Sequence, residues 1–118
     1  MVQSMYEYKA LVTNVVDGDT FDILIDLGFY VLTKQRIRLA RINAFETTLR
    51  SGTTAAEKQL GVEAKFYVKK LIEGKEIVIK TEKDNTEKYG RYLAEVFFND
   101  VNLNDDLVNR KYAIYQQY

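Results

Sequence analysis

Apolar residues recur at every second position in three runs near the start of the chain. Tyr6, Tyr8, Ala10 and Val12 alternate in the first run. Phe21, Ile23, Ile25 and Leu27 share one face of the second, with Asp22 and Asp26 opposite, and in the third Ile37 and Leu39 oppose Arg36 and Arg38. A period of two puts each set on one side of a pleated strand, so this part of the chain must form sheet with one face buried. Strands are expected over residues 6–16, 20–27 and about 30–42, with Gly28-Phe29 as a turn. Alternation fails at Ala40-Arg41-Ile42, which is the mark of a bulge or of a strand leaving the sheet.

The pattern then changes. "TTLRSGTT" (47–54) reads as a polar loop, and Thr54 and Glu57 have capping-box spacing. A helix is expected within 55–73, with Ala64, Val68, Leu71 and Ile72 as its buried stripe. Gly61 weakens its first half and Gly74 stops it. "KEIVIK" (75–80) and "RYLAEVFF" (91–98) are strands separated by the charged loop "TEKDNTEK" (81–88), and Asn102 or Asn104 caps a last helix carrying Leu103, Leu107 and Val108. Three strands, a helix, two strands and a helix make an α+β, mainly β chain. The order fits a five-stranded OB-type barrel with two helices, an architecture that commonly binds oligonucleotides on its face and loops. At 118 residues, positions 1–118 are read as one domain.

Composition narrows the chemistry. Without cysteine there are no disulfides or thiolate metal sites, and without histidine there is neither the usual general base nor a Ser-His or Cys-His arrangement. Catalysis would have to rest on carboxylates, Arg, Lys, Tyr, hydroxyls or a hard metal. No apolar run is long enough for a membrane span, and "MVQSMYEYKA" lacks the pattern of a signal peptide. A cytoplasmic location is therefore expected, a trimmed secreted form being the alternative. Lys+Arg and Asp+Glu number 17 each, so nucleic acid would have to meet a local patch rather than a globally basic surface. "KQRIRLAR" (34–41) and "KYGR" (88–91) are such patches, and a solvated strand face is the plain reading of either.

"VDGDT" (16–20), "RLARINAFE" (38–46) and "EKYGR" (87–91), in this order and on these elements, resemble the staphylococcal nuclease, or thermonuclease, family. "GVEAKFYVKKLIEGKEIVIK" is similar to that family's first helix and following strand, and "NLNDDLVNRKYA" to its second helix. The resemblance runs from about residue 10 to 112, and the chain lacks the family's customary third, C-terminal helix. It implies Ca²⁺-dependent hydrolysis of DNA or RNA, preferably single-stranded, to 3′-phosphate ends, by what is expected to be a monomer. It implies that Asp19 binds the metal, that Arg38 and Arg91 are the catalytic arginines and that Glu46 is the catalytic glutamate. Asn43 stands where the family's best-known members have a second metal-binding aspartate, and Ala44 where a backbone carbonyl completes the site. Phe45 replaces the proline usual before the glutamate. Lys88 and Tyr89 are carried over as substrate contacts, and a base-stacking residue is sought among Tyr112, Tyr115 and Tyr118.

These residue types suit the chemistry. Ca²⁺ takes oxygen ligands and polarises a phosphate oxygen, and a guanidinium meets two phosphate oxygens at any working pH. Glu46 is the candidate base for water, given a raised pKa or metal assistance. Asn43 carries no charge, so the ion should bind more weakly than with Asp in its place. Asp17 reads as the residue that shapes the turn beside Asp19. The competing reading is a weakly active or non-catalytic OB-type module that binds nucleic acid or a protein through Lys34, Arg36, Arg38 and Arg41 with nearby tyrosines. A structural subunit without nucleic-acid contact is the third.

Overall fold

The structure is a computed structural model describing residues 5–45, 55–82 and 91–116. Strands β1 (Met5–Asp17), β2 (Thr20–Asp26) and β3 (Leu32–Leu39) form an antiparallel meander. After β4 (Ile42–Ala44) and helix α1 (Ala55–Ile72), β5 (Glu76–Glu82) pairs antiparallel with β1, and β6 (Tyr92–Phe98) with β5. A parallel pairing of β6 with β3, Ile37 opposite Tyr92 and Leu39 opposite Ala94, closes the barrel. Five strands around a closed core, with two helices, is the OB-type architecture expected. Val12, Phe21, Ile23, Ile37, Ile79 and Val96 fill the interior, which is the inward half of the alternation.

β1 is bulged between Val12 and Asn14 and again between Val15 and Asp17. Past Leu11 it leaves β5, and the end of α1 takes over. The Val12 N–H donates to the Lys75 carbonyl, the Gly74 N–H to the Val12 carbonyl, and the Val15 N–H to the Glu73 carboxylate at 3.0 Å. Gly74 ends the helix in the left-handed region, at φ 78°, as expected. The helix buries Gly61, Ala64, Val68 and Ile72; Leu71 of the expected stripe is only half-buried.

One expectation is corrected in detail, and one alternative is settled. The third strand is not continuous to residue 42: it stops at Leu39, turns at Ala40-Arg41 with Arg41 at φ 66°, and resumes as β4. β4 pairs with β8 (Ala113–Tyr115) in a separate two-stranded sheet, and the short β7 (Val101–Asn102) extends β6 into a hairpin. Asn102, not Asn104, caps α2 (Leu103–Asn109), its side chain accepting from the Asp105 N–H at 3.1 Å. Asn104 is fully buried instead. Its amide donates to the carbonyls of Ala40 and Ala94 and its oxygen accepts from the Val96 N–H, which locks the Ala40-Arg41 turn to β6. The β2–β3 connection, Gly28 through Tyr30, lies entirely in the left-handed region and leaves Phe29 97% exposed. The expected capping box at Thr54 lies outside the described residues.

Candidate functional site

The β1–β2 turn is built for close approach. Asp17 pairs with Thr20 across it, and Gly18 lies where a Cβ would meet the Ala64 Cβ at 3.0 Å and the Ala44 Cβ at 3.3 Å. The glycine thus lets α1 and β4 pack onto the turn that carries Asp19. The Asp19 carbonyl accepts from the Leu39 N–H at 2.8 Å, so the turn is fastened to the end of β3, where Arg38 lies across from Thr20.

Asp19 and Arg38 are each 7% exposed and form an ion pair, Nη2 to Oδ2, at 3.1 Å. The same Asp19 oxygen accepts from the Ala44 N–H at 2.9 Å, and the other accepts from the Thr20 hydroxyl at 3.0 Å. Arg38 also donates to Asn43 Oδ1 at 2.8 Å and to the Ile42 carbonyl at 3.0 Å. Arg91, just before β6, reaches the Thr20 hydroxyl at 3.4 Å. A hydrogen-bonded chain therefore runs Arg91, Thr20, Asp19, Arg38, Asn43, with Ala44 at its side. The structure brings together Asp19, Arg38, Asn43, Ala44 and Arg91. Glu46, Lys88 and Tyr89 lie outside the described residues.

Thr20 is a member of the cluster that residue-by-residue reading passed over. Its signal was present as the last residue of "VDGDT". Its hydroxyl has one proton and two lone pairs, so it can donate to Asp19 and accept from Arg91 at once. That fixes the carboxylate and links the two arginines through one hydrogen-bonded group.

The donor set decides how a metal would sit here. Asp19, the Asn43 amide oxygen and backbone carbonyls are hard oxygen donors and suit Ca²⁺ in kind. They fall short in charge: Arg38 already offsets the Asp19 carboxylate, and no three acidic side chains gather in one place among the described residues. Ca²⁺ affinity rises with ligand charge, so a loosely held ion is what these residues fit.

The other cations of the 34–41 patch do not make one basic surface. Arg36 pairs with Asp22 at 2.7 Å, which holds that carboxyl below the usual aspartate range and raises the arginine. Arg41 is gripped by Glu95 at 2.6 and 2.8 Å and by Asp105 at 3.1 Å, and these carboxylates raise it further. Among the tail tyrosines, Tyr115 donates to Asp105 at 3.0 Å beneath Arg41, and Tyr112 packs on Tyr67 at 5.6 Å between ring centroids. Tyr118 lies outside the described residues.

The family of the chain follows from comparisons with known proteins. A family model described as staphylococcal nuclease homologue matches residues 36–118. An uncharacterised protein of Bacillus anthracis is 31% identical over 107 residues, covering 90% of this chain and 46% of its own length. An uncharacterised protein of Methanocaldococcus jannaschii is 29% identical, covering 95% of this chain and 61% of its own length. Endonuclease YhcR of Bacillus subtilis is 36% identical over 111 residues, covering 91% of this chain but 9% of its own length. The chain thus spans less than two thirds of each of these relatives. With the family model covering well over half of it, from within β3 to residue 118, the chain belongs to the staphylococcal nuclease homologue family.

Proposed function

We propose that the protein hydrolyses phosphodiester bonds of nucleic acid, preferably single-stranded, at the Asp19–Arg38–Arg91 cluster. What carries this reading is that three distant segments deliver two arginines and a carboxylate to one hydrogen-bonded group. A phosphodiester is an anion whose charge grows on the non-bridging and leaving oxygens as water adds. Cations fixed in advance near that charge are worth several kcal/mol, because they need no reorganisation during the step. Arg38, held by Asp19, Asn43 and Ile42, is such a cation. Arg91 joins the same group through the Thr20 hydroxyl. In the proposed step Glu46 takes a proton from water, the water oxygen bonds to phosphorus, and the bond to the 5′-oxygen breaks as that oxygen takes a proton from solvent, leaving a 3′-phosphate and a 5′-hydroxyl. Ca²⁺, held loosely by Asp19 with the Asn43 and Ala44 oxygens, would supply polarisation of a phosphate oxygen.

The test incubates purified protein with single-stranded DNA and RNA across a wide range of Ca²⁺ and with chelator. Wild-type cleavage that is lost in Arg38→Ala and Glu46→Gln is expected. Tight binding of the oligonucleotides with no cleavage at any Ca²⁺ concentration would refute the hydrolase. It would favour a binding module, a reading supported by how fully Asp19 and Asn43 already engage the Arg38 guanidinium.

A further inference from the structure

The barrel has an open mouth lined by the start of β1 and the end of β2. There the inward-facing residues leave a cavity of about 350 Å³. Ile25, Ile37 and Ile79, all buried, form its floor, and Tyr6, Tyr8 and Tyr92 its wall. Gln35, Thr33 and Thr81 supply the only other polar groups; no charged side chain lines it among the described residues. The Tyr6 and Tyr8 rings are parallel to within 5°, with centroids 6.2 Å apart. The size falls at the lower end of small-molecule pockets, about 300–1,000 Å³, and barrel mouths are a usual place for them.

We propose that this mouth takes a base of the nucleic-acid strand whose phosphate lies at the Arg38–Arg91 cluster; the inference rests on the hydrolase reading above. The lining selects the ligand's chemistry. An apolar floor with aromatic walls suits a flat ring, the lack of charge disfavours a phosphate or an amine, and the Gln35 amide offers both a donor and an acceptor to a base edge. Position links the mouth to the cluster. Ile37 and Tyr92 are partners on the rung that closes the barrel, and both line the mouth. Their chain neighbours, Arg38 and Arg91, belong to the cluster. Successive strand residues are about 3.3 Å apart along the chain and face opposite ways, so one rung serves both sites. A strand crossing the rim at Arg91 and Tyr92 can leave its phosphate outside and turn a neighbouring base inward.

The experiment follows isoleucine methyl signals by NMR as thymidine, adenosine, inorganic phosphate or toluene is added. Nucleosides should shift the Ile25, Ile37 and Ile79 methyls saturably, and phosphate should not. Tyr92→Ala should weaken the nucleoside about five- to 150-fold, the range for loss of one base-stacking aromatic. Gln35→Ala should weaken it too, while the same spectra report that both variants are folded. Unmoved floor methyls, equal affinity in Tyr92→Ala, or toluene binding as tightly as the nucleosides would overturn the proposal. In cleavage assays Tyr92→Ala should raise KM for tetrathymidylate more than for bis(p-nitrophenyl) phosphate, which has no base. Equal effects on both substrates would count against the base site. Saturable nucleoside shifts in a protein that cleaves neither substrate would refute the hydrolase and leave the mouth as a base-binding site.

Discussion

The Asp19–Arg38 pair makes a quantitative prediction. Asp19→Asn keeps the shape of the side chain: its oxygen can still accept from Arg38 and the Ala44 N–H while its amide faces Thr20. What it removes is the charge beside a guanidinium that is only 7% exposed. Breaking a buried pair on one side leaves the other charge unpaired and typically costs about 3–5 kcal/mol. For a domain of this size that is a fall in Tm of roughly 10–20 °C. Urea unfolding at neutral pH should therefore show a lowered midpoint with an unchanged slope. Arg38→Met strands the carboxylate in turn. The double variant, with both charges gone, should be less destabilised than the sum of the two singles. A loss below about 1 kcal/mol for Asp19→Asn, or strictly additive singles, would refute the reasoning, because it would mean that solvent or other groups already compensate Arg38. Ca²⁺ gives an independent readout: it should raise the Tm of wild type and leave Asp19→Asn unmoved.

Asn43→Asp, which adds a second carboxylate beside Arg38, should lower the Ca²⁺ concentration for half-maximal cleavage about tenfold or more; an unchanged or raised requirement would remove Asn43 from the ligand set. Asn104→Ala should cost about 3 kcal/mol in urea unfolding, since three buried hydrogen bonds at about 1 kcal/mol each are lost and the Val96 N–H is stranded. Tyr67, whose hydroxyl is pushed up to about 12 by burial and by the Asp106 carboxylate it donates to, should stabilise the fold fully below pH 10. That contribution should fade as pH rises from the unfolded value near 10 to about 12, and Tyr67→Phe should reduce the alkaline fall in Tm, to which Tyr115, raised by its hydrogen bond to Asp105, also contributes.

The barrel was legible wherever one side of a strand meets the core and the other meets water, as in β2, because burial then prints a period of two. The Ala40-Arg41 turn was visible only as a failure of that pattern. Arg41 holds a left-handed conformation with no glycine or asparagine to announce it, and the residue that secures it, Asn104, lies 64 positions away. Separation along the chain also hid the fate of the basic patch. A run of cations says nothing about Glu95 and Asp105, which the fold brings to Arg41, nor about Asp22 beside Arg36. Asp19, Arg38, Asn43 and Arg91 were legible through motif resemblance, and their mutual bonds were not. Gly18 reads as a turn residue, yet its role is the space it leaves for Ala64 and Ala44.

The parallel rung that closes the barrel has a kinetic consequence. It joins positions about 55 apart in sequence, far more distant than the hairpin partners of β1, β2 and β3. Loop-closure entropy makes such contacts late, since much of the chain must be ordered before they are rewarded. Arg38 and Arg91 flank that rung, so a chain with its meander formed and its barrel open holds the two arginines apart. We predict that cleavage returns during refolding only with the slowest folding phase. Activity recovered in step with the first hairpin signals would argue against it. The arginine cluster is incomplete until β6 has joined β3.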